Sequence, residues 1–248
     1  MSGDVSLFMF SLRQMARRKA TFFLLLLSMI PAAIMAYVVA ANKADDLYLF
    51  FTDLTSLFYL QIIILIVALV LGTSIIHDEV SKGTISYLAT RPLSRKKVVL
   101  IRYLAYVPVA FALIAIPTTV SFMSVAFKAR GIYANIDLYL GFLFAFLLGV
   151  AVYGAIFCLI GIAIRAPLMV GLLFVFVWEG IVTNFPGRFH YATVLFYIRS
   201  ILSHLLDIGD LANYPTSLSL PESVVVLIAA TAVIVYAGAR IFSKKDIA

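Results

Sequence analysis

Charge is scarce in this chain. Asp, Glu, Lys and Arg make up only 12% of its 248 residues, while 64% are apolar and the mean hydropathy is +1.09. A soluble domain carries about 25% charged and about 45–50% apolar residues. A chain this short of polar groups cannot cover a water-facing surface, which excludes an ordinary soluble enzyme, a disordered tail and a fibrous repeat. Metal ligands are scarce too. One cysteine, Cys158, permits no internal disulfide, and the three histidines, His77, His190 and His204, stand far apart, so no metal site is expected. A Gly-x4-Gly-Lys-Ser/Thr stretch is also missing. Lys82-Gly83-Thr84 has the residue types of a phosphate-cradling loop in the wrong order and spacing. No catalytic residue and no cofactor are therefore expected in this chain, and it is not expected to be an enzyme.

What the chain has is long apolar runs. A spanning helix needs about 20 apolar residues. Six stretches qualify: Thr21–Ala41, Thr55–Ile76, Tyr103–Phe127, Leu138–Ile164, Ala166–Phe185 and Ser223–Ile241. They are too long and too continuous for the alternating strands of a barrel. The expectation is an all-α, polytopic membrane protein with six transmembrane helices, forming one domain over 1–248. Thr21–Ala41 exceeds the core of about 7–15 residues of a cleaved signal, so it is expected to stay.

The net charge of +7 could suggest a nucleic-acid partner, but the placement of the cations gives another reason. Fourteen of the 19 Lys and Arg residues, Arg17, Arg18, Arg102 and Arg165 among them, fall on the side that holds both termini and the loop between spans two and three. Short basic loops stay in the cytoplasm. Both termini are therefore expected inside a plasma (cell) membrane, with the bilayer as partner and no nucleic acid. Ahead of the first span, Val5, Phe8, Leu12 and Met15 form one helical stripe with Arg13, Arg17 and Arg18 off it, the pattern of an amphipathic helix on the inner surface. The long extracytoplasmic loop 186–222 holds a second stripe, Leu195, Phe196, Ile198, Ile201, Leu202, Leu205 and Leu206, expected to rest on the outer leaflet or dip part-way into it.

Within the spans, Glu179 beside Trp178 lies 12 residues beyond Pro167. That is about 18 Å along a continuous helix in a core of about 30 Å. A buried acid there marks either a substrate path or a structural partner of a neighbouring helix, and Trp also marks interfaces. Gly141, Ala145 and Gly149, at steps of four, permit close helix packing, within the subunit or across a dimer.

The cytoplasmic loop 77–102 is the most informative segment. Glu79 leads, Gly83-Thr84 follows, Ile85 to Leu88 is apolar, and Arg91-Pro92-x-Ser94-Arg95 closes it. Arg91 before Pro92 is biased away from helix, and Ser94 can cap the helix that follows. A short helix held between two hinges results.

This order of residues resembles the permease subunits of ABC-2 type exporters, and six spans after an N-terminal amphipathic helix are consistent with it. The resemblance implies a permease that pairs with a second permease, as a homodimer or with a related chain, and with an ABC ATPase subunit that holds ATP and Mg. It implies that Glu79, Gly83, Thr84, Ile85, Leu88, Arg91, Pro92, Ser94 and Arg95 couple to that ATPase, with Ile85–Leu88 as an apolar plug and Arg91 and Arg95 as charged contacts. The function so implied is that of an ATP-driven exporter's pathway. The rivals are a secondary transporter or channel without an ATPase, which would carry several intramembrane charges and broken spans, and a non-transporting membrane scaffold.

Overall fold

In hydrocarbon a backbone must satisfy its own N–H and C=O groups, so long apolar runs coil into helices. In the computed structural model the described backbone covers residues 2–81, 94–128, 135–181, 191–206 and 218–244; the side chains of 2–3 and 77–81 lie outside the description. Every regular element among the described residues is a helix.

The chain opens with α1 (Ser2–Ala16) and α2 (Lys19–Ala41). Asn42 ends α2 in the left-handed region, at φ 48°, a conformation Asn tolerates. Asp46 then caps α3 (Leu47–Leu54), its carboxylate accepting the Tyr48 and Leu49 amides at 2.9 and 3.1 Å. The same helical rod widens into i→i+5 turns over π1 (Thr55–Ile63) and resumes as α4 (Ile64–Ser81). Next come α5 (Arg95–Lys128), which runs through Pro108 and Pro117, and α6 (Ile136–Ala163). Finally there are α7 (Pro167–Leu173), its wide-turned continuation π2 (Phe174–Ile181), α8 (Val194–Leu205) and α9 (Leu220–Lys244).

Five of these rods are long and apolar enough to cross a membrane: Lys19–Ala41, Leu47–Ile76, Arg95–Lys128, Ile136–Ala163 and Leu220–Lys244. The expected span over Ala166–Phe185 is described as helix only over Pro167–Ile181, about 22 Å long and short of a core of about 30 Å. α5 has 34 residues, about 51 Å, so it projects beyond the hydrocarbon.

α6 sits at the centre, with α4, α5, α8 and α9 packed on it. Lipid is as apolar as Leu, so close contact rather than water exclusion holds spans together, and small residues permit it. Gly72 fits against Phe157 and Gly154, Gly154 against the Tyr106 ring, and Gly161 against the Thr73 backbone.

Two amphipathic segments differ from the sequence reading. The α1 face turned inward carries Leu7, Ser11 and Met15 and packs on α5, so Met15 of the stripe expected to face the membrane is covered by protein, whereas Val5 of that stripe is 62% exposed. In α8 the stripe faces protein and not a leaflet surface, while the other arm of that expectation, a helix that dips part-way in, is not contradicted. Phe196, Ile198, Ile201 and Leu202 are buried, and the helix packs on α6 and α9; Leu205, expected in that stripe, is exposed. Helical periodicity reports an apolar face but not whether lipid or protein covers it.

Candidate functional site

Two parts of the molecule have organised polar chemistry. The first is the end where α1 meets α2 and where α4 and α5 flank the segment 82–93. Arg18, between α1 and α2, donates from Nη1 to Ser74 Oγ on α4 at 2.8 Å. One residue on, the Ile75 carbonyl accepts from Arg102 Nη1 at 3.2 Å. Arg102 is 2% exposed: sequence counting placed it among the loop cations, but it lies inside the helix pair. A carbonyl partner has no signature in sequence, which is why the charge looked like a topology marker. Thr21 Oγ1 donates to the Met15 carbonyl at 2.6 Å and ties the α1–α2 corner. At the same end the Cβ that Gly161 lacks would sit 2.5 Å from the Thr73 carbonyl oxygen, so α4 and α6 touch backbone to backbone. Five helices, α1, α2, α4, α5 and α6, are therefore joined within one turn of α4.

Of the residues expected to contact an ATPase, Ser94 directly precedes α5 and its carbonyl accepts the Val98 amide at 3.2 Å; Arg95 is the first residue of α5 and is exposed. Glu79 lies on α4, its side chain outside the description. Gly83, Thr84, Ile85, Leu88, Arg91 and Pro92 lie outside the described residues.

The second part is built around π2. Glu179 is 3% exposed. Its Oε1 accepts the Val194 amide at 3.1 Å and its Oε2 the Leu195 amide at 3.4 Å. These are the first two amides of α8, and Thr193, the residue before it, offers no side-chain cap. A carboxylate there answers both the orphan donors and the positive end of the helix. Trp178 Nε1 donates to the Ala192 carbonyl at 3.2 Å, so adjacent residues grip both sides of the turn into α8. The buried Tyr153 hydroxyl faces the same carboxylate.

The level of this clamp follows from glycine contacts. Gly149, half-way along α6, lies against Ile64 and Ile198; Gly141, near its start, lies against Leu205 and Leu206. Ala145, between them, is fully buried. So α8 runs antiparallel to α6, starting at its middle and climbing to its Ile136 end. Gly171 on α7 lies against Leu69 and Phe157, nearer the opposite end. α7–π2 and α8 are thus two half-length helices that meet at mid-depth, with Glu179 at the junction. A cavity of about 270 Å³ borders the junction, lined by Gln61 of π1, Glu179 and Gly180 of π2, and Arg199 of α8. Sequence offered the isolated acid at position 179 but gave no sign that its partners were backbone amides.

Among the described residues no group of acids, histidines and cysteines could hold a metal ion. Comparison with curated proteins finds no match. The sequence model described as ABC-2 family transporter protein matches residues 5–247, nearly the whole chain. This multi-pass membrane protein belongs to the ABC-2 transporter family, as a permease of ABC exporters, in which the ATPase generally resides on a separate subunit.

Proposed function

We propose that this chain forms the substrate pathway of an ATP-driven exporter and that a separate ABC ATPase drives it through the segment 77–102. The observation that supports this reading most is the pair of bonds at the ends of that segment, Arg102 to Ile75 and Arg18 to Ser74. A push on a loop moves only that loop unless its flanking helices are tied. Here α4 and α5 are tied to each other and to the α1–α2 corner, so force on Ile85–Leu88 is delivered to several helices at once. Glu79, Arg91 and Arg95 would supply the charged contacts, and Gly83, Thr84, Pro92 and Ser94 the hinges.

The distribution of cations supports an arrangement with both termini and this loop in the cytoplasm of the cell membrane. A sixth crossing would be completed jointly by α7–π2 and α8. A homodimer, which the resemblance implies, would place at its seam the exposed apolar face of α7–π2, where Met169, Leu173 and Phe176 are 70%, 58% and 69% exposed. That seam would carry an apolar or amphiphilic cargo past Trp178 and Glu179.

The test is gentle purification from the native host, with ATP hydrolysis measured on what is retained. A co-purifying ATPase, lost in Glu79→Lys and Arg95→Glu, is the expected result. A preparation without a nucleotide-binding partner would sink the reading. It would favour a secondary transporter, for which the junction of half-helices at Glu179 is the specific argument.

A further inference from the structure

α9 is fully buried only near its two ends; between them Ile234 and Val235 pack partly buried on the core, while Ile228 and Tyr236 are exposed. Its buried residues are Ser223 and Leu227 near one end and Gly238, Ala239 and Phe242 near the other, with none from 228 to 237. Beside this middle stretch lies a groove of about 570 Å³ between α9, α5 and α6, within the ~300–1,000 Å³ of small-molecule sites. Its wall includes Leu100, Leu148, Ile228, Ala232 and Val235. The two polar side chains deeper in the wall are already satisfied: Thr231 Oγ1 donates to the Leu227 carbonyl at 2.8 Å and Tyr103 Oη to the Ala151 carbonyl at 2.7 Å. A polar solute would find no partner along this wall, whereas hydrocarbon would lose nothing. From Ile228 to Ala239 the groove follows α9 for about 16 Å, the hydrocarbon depth of one leaflet of a core of about 30 Å.

One end of the groove is charged. Lys96 and Lys97 line it at the start of α5, a first turn that contains no acid. Across from them Tyr236 accepts from Arg240 Nε at 2.8 Å. Two lysines therefore line the mouth, and Arg240 is bonded to the Tyr236 that lines it with them. An apolar slot one leaflet deep, closed by cations at the headgroup level, is complementary to an amphiphile with a negative head.

We propose that this groove holds one anionic phospholipid of that leaflet, its acyl chain along α9 and its phosphate at Lys96 and Lys97. The lipid fills the groove and ties α9 to α5 beside the segment that the proposed ATPase would contact. The site stands on the membrane placement of the chain alone and is independent of ATPase coupling.

Native mass spectrometry of the full chain, with whatever subunits co-purify, tests this after phosphatidylglycerol and phosphatidylcholine are offered separately. Retained phosphatidylglycerol is expected, about tenfold less in Lys96→Gln/Lys97→Gln. Ala232→Trp, which fills the slot and leaves the cations intact, should abolish retention. Lys128→Ala, at the opposite end of α5, should change nothing. Equal retention of the two lipids, or undiminished phosphatidylglycerol on the double lysine variant, would overturn the proposal. So would displacement of the lipid by free glycerol phosphate, which would mark a phosphate site without an acyl slot. If Ala232→Trp does not fold, the exposed lysine pair still decides the outcome.

Discussion

The two polar regions of this permease are built in opposite ways. At the end next to the segment 82–93, helices are fastened to one another by side chains that reach across, Arg18 to Ser74 and Arg102 to Ile75, and by backbone contact at Gly161. At mid-depth it is instead the backbone at the start of α8 that is gripped, by the carboxylate and the indole of π2. Wide i→i+5 turns in π1 and π2 border that junction from both sides, and such turns gather at functional sites. The difference teaches which part can move. A block cross-linked on three sides transmits displacement, while at the junction the start of α8 hangs on a few hydrogen bonds and its length on apolar packing against α6 and α9, which an opening would have to exchange.

Breaking the fastened end should have the largest effect. Arg102→Ala empties a buried volume and removes the bond to Ile75, and a loss of about 3 kcal/mol is expected from denaturation in detergent. Gly161→Val comes next, at about 2 kcal/mol, because its new methyls meet backbone that cannot rotate away; melting temperature reads it. At the junction, Glu179→Ala leaves the Val194 and Leu195 amides without an acceptor in an apolar setting, at about 1–2 kcal/mol. That loss should appear as faster amide exchange over Val194–Leu205, with the rest of the bundle unchanged. Glu179→Gln keeps one acceptor oxygen and loses the charge, so a deficit of about 0.5–1 kcal/mol is expected. If Glu179→Gln abolished transport with stability intact, the carboxylate would be acting on cargo and not only as a cap.

The long apolar helices α2, α4, α5, α6 and α9 were legible from run length, because hydrocarbon leaves a backbone no alternative to coiling. Spacing of four pointed to Gly141 and Gly149, whose contacts prove to be with Ile64 and with α8. Gly154 and Gly171 lie off that stripe, and Gly161 lies three further steps of four along it; none of them was singled out, although their contacts are as close. The α8 stripe was visible, but its burial against α6 was not, since protein and lipid present the same apolar surface to a periodic face. Arg102 and Glu179 were misjudged or left open for one reason: each bonds to backbone atoms, which every residue possesses and no sequence pattern marks.

Hydrogen exchange of the reconstituted permease complex, with and without ATP, addresses the central contrast most directly. Increased exchange confined to the amides of Val194–Leu205, with 70–76 and 98–106 equally protected in both states, is the predicted result. Loss of protection at 70–76 and 98–106 while α8 stays closed would contradict a rigid transmitting end and an opening junction.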